Sequence, residues 1–138
     1  MTYTAIIKKS NGAYLIEFPD IPNINTYGET ITDALNNAKE ALNGCLESDF
    51  ERGFKLPKPG EKTHRNGYAI EVEPHICLAY QLRKIRNGVS QSEIAKKLGI
   101  SYQAYQKLEN PRKCNPTIKT LEKISEVFGK NLVISLRS

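Results

Sequence analysis

Ser90-Gln91-Ser92-Glu93-Ile94-Ala95-Lys96-Lys97-Leu98-Gly99-Ile100-Ser101-Tyr102-Gln103-Ala104-Tyr105-Gln106-Lys107-Leu108-Glu109-Asn110 reads as two short helices joined by a tight turn. Ser90 is placed to cap the first helix, with Glu93 three residues on completing a capping box. Ile94, Ala95 and Leu98 fall on one face at helical spacing. Gly99 suits the left-handed position that ends a helix, and Ser101 caps the next. In the second helix Ala104, Tyr105 and Leu108 point inward, leaving Tyr102, Gln103, Gln106 and Lys107 outward. A helix–turn–helix of this kind presents polar side chains to base edges in the major groove of DNA. The bland alternative is a small helical bundle with a solvated basic face, which is what charge runs usually are.

The flanks extend the bundle. Residues 76–87 form a preceding amphipathic helix with Leu78, Leu82 and Ile85 inward. Pro111 and Pro116 bracket a basic loop carrying Arg112 and Lys113, and Thr117 caps a helix to Phe128 whose core face is Ile118, Leu121, Ile124 and Phe128. Together these residues resemble the Cro/phage-repressor-like (XRE) family of DNA-binding domains. The resemblance implies that Gln91 and Ser101 touch phosphates, while Tyr102, Gln103 and Lys107 approach bases. Gln106, Arg112 and Lys113 complete the expected DNA-binding set, and Tyr102 could instead pack on a sugar or a thymine methyl. The family usually has a longer turn than Asn87-Gly88-Val89, which leaves both Lys84 and Arg86 as candidate ion-pair partners for Glu109.

Charge divides the 138 residues in two. Residues 1–73 hold eight Lys/Arg and eleven Asp/Glu, net −3; residues 74–138 hold twelve and four, net +8. A basic half suits a polyanion, whereas the acidic half would be repelled by DNA and needs another partner. The division predicts domains 1–73 and 74–138, with a linker-like loop at 55–66. Each half carries a modest core that dimerisation would help. No apolar stretch is long enough to span a bilayer and no signal-peptide pattern opens the chain, so no membrane association and a cytoplasmic location are expected. Cys45, Cys77 and Cys114 are odd in number and scattered, which fits a reducing compartment. His64, His75, Cys77 and Cys114 could in principle bind zinc, but no tight ligand pair exists; neither metal nor cofactor is expected.

In the first half the order is strand, strand, strand, helix, strand. Residues 2–8 are rich in β-formers, and Ser10-Asn11-Gly12 turns the chain into Ala13–Phe18. A short strand lies near Asn25–Tyr27, and Thr30 caps a long helix to about Arg52. Its apolar stripe is Ile31, Ala34, Leu35, Ala38, Leu42, Cys45 and Leu46, and Gly53 ends it. A last strand spans Gly67–Glu73. The expected class is α+β: a four-stranded sheet with one covering helix, then an all-α bundle ending in a short strand.

Phe18-Pro19-Asp20-Ile21-Pro22, Thr26-Tyr27-Gly28-Glu29-Thr30, Asp33-Ala34 and Asn37-Ala38 look like the signature of HicB antitoxins. Leu108-Glu109-Asn110-Pro111-Arg112, Leu121-Glu122-Lys123 and Phe128-Gly129-Lys130-Asn131-Leu132 resemble the repressor-like tail of the same family. Asn23-Ile24 stands where the family commonly has Gly-Cys. The resemblance implies a partial ribonuclease-H-like first domain that neutralises a small, basic, RNA-cleaving HicA toxin, and a second domain that represses the operon encoding both by binding double-stranded operator DNA. Glu17, Asp20, Glu29, Glu71 and Glu73 are the candidate toxin contacts, since complementary potentials speed encounter. For any one of them the ordinary alternative is a solvated carboxylate.

Two other functional classes make specific demands on the residues. A ribonuclease-H-like nuclease needs carboxylates converging on two metal ions about 4 Å apart, yet residues 3–9 carry none; Glu17, Asp20 and Glu40 would have to converge instead. His64 and His75 read as exposed loop histidines, with no nucleophile arrangement and no catalytic residue assigned. A stand-alone ligand-responsive repressor would need a pocket that this small sheet-and-helix unit is ill suited to enclose. A homodimer or higher homo-oligomer is expected from Asn131–Arg137, where Leu132, Ile134 and Leu136 alternate in a strand pattern too short to stand alone.

Overall fold

The computed structural model describes residues 1–60 and 67–137. They form two compact units, Met1–Cys77 and Leu78–Ser138.

In the first unit, strands β1 (Thr2–Ser10), β2 (Ala13–Glu17), β3 (Asn25–Gly28) and β4 (Gly67–Glu71) form an antiparallel sheet in the order β3-β2-β1-β4. The β1–β2 hairpin closes at Ser10↔Ala13 over Asn11 and Gly12, both with positive φ, the two-residue turn that suits the twist of paired strands. Helix α1 (Ile31–Glu51) follows β3 and covers one face. Thr30 caps it by accepting from the Asp33 amide at 3.1 Å. Its buried stripe is Ala34, Ala38, Leu42, Asn43, Leu46 and Phe50, set against Tyr3, Ala5, Ile16 and Ile70 of the sheet. Gly28 lets strand and helix approach closely: a Cβ there would lie 2.3 Å from the Ala34 nitrogen.

Two expectations for α1 need correcting. Ile31 is exposed and Cys45 only half-buried, because the helix overhangs the sheet at its first turn and Cys45 sits at the margin of the buried face. Asn43 and Phe50 take the buried places instead. The strand expected over Gly67–Glu73 ends at Glu71. The first part of the expected linker is packed rather than free: Leu56 is buried and the Tyr3 hydroxyl donates to the Pro57 carbonyl. Residues 61–66 of that linker, including His64, lie outside the described residues.

Helix α2 (Pro74–Arg86) begins within the first unit and continues into the second, so the division falls four residues later than charge alone suggests. The second unit contains α3 (Gln91–Leu98), α4 (Tyr102–Leu108) and α5 (Ile118–Phe128). Leu82, Ile94, Ala95, Leu98, Tyr105, Leu108 and Ile124 form its core. Ile118, expected in that core, is 60% exposed, since the first turn of α5 projects past the helices beneath. The strand expected at Asn131–Arg137 is absent: these residues are exposed and form neither helix nor strand, with no strand beside them among the described residues.

Candidate nucleic-acid interface and acidic surface

The helical pair is built as its sequence requires. Ser90 Oγ accepts from the Glu93 amide at 3.1 Å and Ser101 Oγ from the Ala104 amide at 3.0 Å. Gly99, at φ +71°, ends α3, its amide donating to the Lys96 carbonyl at 3.1 Å. Tyr105 and Leu108 are buried and Ala104 half-buried, which turns Tyr102, Gln103, Gln106 and Lys107 to the surface. In the following loop the Asn110 side chain accepts from the Arg112 amide at 3.0 Å, and its carbonyl from the amides of Lys113 and Cys114. Pro111 and Cys114 are buried, so the turn is anchored while Arg112 and Lys113 project outward. Burial pushes the Cys114 thiol up to about 11.

A buried ion pair braces this surface from behind. Glu109 is 4% exposed. Arg86 Nε donates to its Oε2 at 2.7 Å and Nη2 to its Oε1 at 3.0 Å, while Nη1 donates to the Val89 carbonyl at 2.8 Å. Arg86, not Lys84, is therefore the partner of Glu109, and the hydrogen bonds to that carboxylate raise the guanidinium's pKa. Gln91 Nε2 donates to the same Oε1 at 3.3 Å. One carboxylate thus ties the end of α2, the start of α3 and the end of α4 together. Tyr105 lies beside it; burial, reinforced by Glu109, holds its phenol neutral far above its ordinary pKa.

Of the expected DNA-binding set, Ser101, Tyr102, Gln103, Gln106, Lys107, Arg112 and Lys113 are exposed. Gln91 differs, being half-buried with its amide turned to Glu109. The spacing of Gln91 and Glu109 in sequence gives no sign of that bond.

The five acidic candidates do not gather in one patch. Glu17 and Glu71 share the sheet face opposite α1, where Glu17 lies 3.5 Å from Lys8. Asp20, in the β2–β3 loop, accepts from the Gly60 amide at 2.8 Å. Glu29 precedes α1 and shares a surface groove with Asp33, Asn36 and Asn37. Glu73 is half-buried: its amide donates to Asn43 Oδ1 at 2.7 Å and its carboxylate lies 3.5 Å from His75. His75 is no loop residue; it occupies the first turn of α2 between Glu73 and Glu47, the latter 3.8 Å away. Sequence reading missed Leu15 and Tyr27, a cross-strand pair exposed on the open sheet face, although the alternation Leu15-Ile16-Glu17 could have shown it. Among the described residues no group of three His, Cys, Asp or Glu could hold a metal ion, and no helix is long and apolar enough to cross a membrane.

A family model described as HicB-like antitoxin of bacterial toxin–antitoxin systems matches residues 2–78, more than half of the chain. The chain belongs to the HicB-like antitoxins. A helix-turn-helix model matches residues 80–134 of this antitoxin. It is 28% identical over 123 residues to the antitoxin HicB of Escherichia coli K12, covering 88% of each chain. It is 28% identical over 129 residues to antitoxin HicB 1 of Photorhabdus laumondii, covering 91% of this chain and 79% of that one. The crystal structure of the N-terminal domain of the Burkholderia pseudomallei antitoxin HicB matches at 26% identity and a TM-score of 0.47, over 53% of this chain and 99% of that domain.

Proposed function

We propose that this HicB-like chain neutralises a small basic RNA-cleaving toxin of the HicA type with its first unit and represses its own operon with its second, in the cytoplasm. The observation that carries the reading is the second unit's exposed row of Tyr102, Gln103, Gln106 and Lys107, braced by the Arg86–Glu109 pair beside the basic Arg112-Lys113 turn. Caps and a buried ion pair fix the row in place, which suits reading base edges, whereas a merely solvated face needs no such bracing. Gln103 and Lys107 would read bases, with Ser101, Arg112 and Lys113 on phosphates. Gln91, held by Glu109, would reach a phosphate only with a donor left free by that bond.

The net −3 of residues 1–73 supports a basic protein partner for the first unit. Because the acidic residues are spread over several faces, Glu17, beside the exposed Leu15 and Tyr27 on the open sheet face, forms the better docking point, with Glu71 at the far end of β1 on the same face. Toxin inhibition here is steric occlusion and the chain itself catalyses nothing. The second unit would act as a dimer, the exposed residues 131–137 pairing with those of another copy.

The test is affinity capture of the tagged full chain from its native cells after nuclease treatment, followed by mass spectrometry. Recovery of a small basic protein encoded beside this gene is the expected result. Recovery of the chain with no protein partner, while it still retards DNA from its own promoter in a gel, would overturn the toxin reading and leave a stand-alone repressor.

A further inference from the structure

The side chain of Tyr105 is wholly buried in the core of the second unit, and among the described residues no hydrogen bond reaches its hydroxyl. Leaving such a group unpaired costs stability, and an exception in a native core calls for a reason. The charged groups acting on it are the Glu109 carboxylate and the Arg86 guanidinium. Burial first, and Glu109 next, keep the phenol neutral, so it retains a proton to donate.

Glu109 is the acceptor in that setting. A carboxylate offers about four acceptor positions. Oε1 takes Arg86 Nη2 at 3.0 Å and Gln91 Nε2 at 3.3 Å, and Oε2 takes Arg86 Nε at 2.7 Å. These donors hold the carboxylate in an orientation that the hydroxyl does not meet. Gln91 is held the least firmly of them: its bond is the longest, its amide is neutral, and it is half-buried at the first residue of α3. Arg86 is fixed by its two bonds to Glu109 and a further one to the Val89 carbonyl. If a donor leaves the carboxylate, it is Gln91. Its departure removes the one constraint that does not come from Arg86, and the carboxylate can then turn towards Tyr105.

We propose that the Tyr105 hydroxyl is a reserve donor for Glu109, taking over from the Gln91 amide when Gln91 turns outward to a backbone phosphate of DNA. This role rests on the DNA-binding reading, and makes Tyr105 a positioning residue that itself touches no nucleic acid. While Gln91 stays on Glu109, one of its two amide protons is committed there; once released, both can serve a phosphate. Without a reserve, release would strip a buried carboxylate of a donor. With it, Glu109 keeps as many bonds as before, and a hydroxyl that was unpaired becomes paired. The exchange lowers the cost of presenting Gln91 to DNA, while the Arg86–Glu109 pair that joins α2 to α4 stays intact.

A double-mutant cycle on the full chain tests the exchange, using the wild type, Tyr105→Phe, Gln91→Ala and the double variant. Tyr105→Phe deletes the hydroxyl and keeps the ring that fills the core. In the DNA-free chain it should leave the melting temperature unchanged or raise it, because it removes an unpaired buried group. With Gln91→Ala already present the hydroxyl is bonded to Glu109, and Tyr105→Phe should then lower the melting temperature by about 4–8 °C. A shift of the same sign and size in both backgrounds would show that the hydroxyl does not replace Gln91, and the proposal would be wrong. Titration of the same chains with a duplex of their own promoter, at one salt concentration, reads the use of the exchange. Tyr105→Phe should weaken binding about fivefold when Gln91 is present and leave it unchanged in Gln91→Ala. Equal losses in both backgrounds, or no loss in either, would overturn the role proposed for Tyr105. A wild-type chain that does not bind the duplex would overturn the DNA-binding reading and that role together, whereas the melting cycle needs no DNA and decides the exchange by itself.

Discussion

Gln103 and Arg112 are both exposed polar residues of the second unit, yet their removal should read differently. Gln103 lies on α4 where a base edge is within reach, so Gln103→Ala should weaken operator binding by ~1–3 kcal/mol and relax base preference. Arg112 sits in the anchored turn, suited to a phosphate. Arg112→Ala should weaken all sequences alike and lower the slope of log affinity against log salt by about one. Titrations on operator and random DNA at several salt concentrations separate the two; equal losses on both DNAs for Gln103→Ala would remove it from the base readers. Glu109 behaves differently again. It makes no outward contact, but Glu109→Ala leaves Arg86 without its carboxylate, which costs ~3–5 kcal/mol for a buried pair and less where, as here, the guanidinium keeps some access to water. Urea unfolding should show that loss, and DNA binding should fall with it because α3 and α4 lose their common anchor. The spacing of caps, turn glycine and apolar positions made the outward row readable. The bond from Gln91 to Glu109 was not, because it joins residues eighteen apart whose meeting depends on how α3 and α4 cross.

At the scale of elements, the sequence of elements in the first unit, the caps and the turns were legible because each rests on local chemistry: Asn11-Gly12 for the hairpin, Thr30, Ser90, Ser101 and Thr117 for helix starts. What was not legible is how far each stripe is covered. Ile31 and Ile118 both open a helix, both continue an apolar stripe, and both lie exposed, since periodicity gives the direction of a face but not the extent of its neighbour. Asn43 is the converse case, a polar residue buried because β4 and the start of α2 offer it partners distant in sequence. Gly28 shows how sharply one contact fixes an element. Gly28→Ala would drive a methyl against the Ala34 backbone, which cannot swing aside as a side chain could. A cost at the upper end of ~1–3 kcal/mol is expected, read as a lowered melting temperature with the helix–turn–helix unit still binding DNA. In the second unit Cys114 gives an alkaline signature. Its thiol pKa is raised to about 11 from an ordinary value near 9, so the folded state keeps the proton longer than the unfolded chain. Stability should therefore fall as pH rises from about 9 to about 11 and level beyond, and Cys114→Ala should flatten that part of the curve.

For the whole molecule, opposite charge in the two halves suits the two proposed tasks, and the exposed apolar residues near the C-terminus bear on the proposed dimer. Leu136 is 99% exposed, Val133 82% and Ile134 57%, on a segment that pairs with no strand among the described residues. A strand of this composition is unstable alone and is completed by another strand. Pairing two copies through it would relate two helix–turn–helix units by a two-fold axis, matching half-sites one DNA turn, about 34–36 Å, apart. Leu136→Asp places a charge within that pairing while leaving the core of the unit, Leu82 to Ile124, untouched. The variant should sediment at a lower mass and retain its melting profile at low concentration. Its binding to an isolated half-site should match the wild type, but the advantage of the full palindrome, which comes from linking two modest contacts, should disappear. A variant that keeps both its mass and its preference for the palindrome would show that the tail serves some other contact, and that the two recognition helices are held together elsewhere.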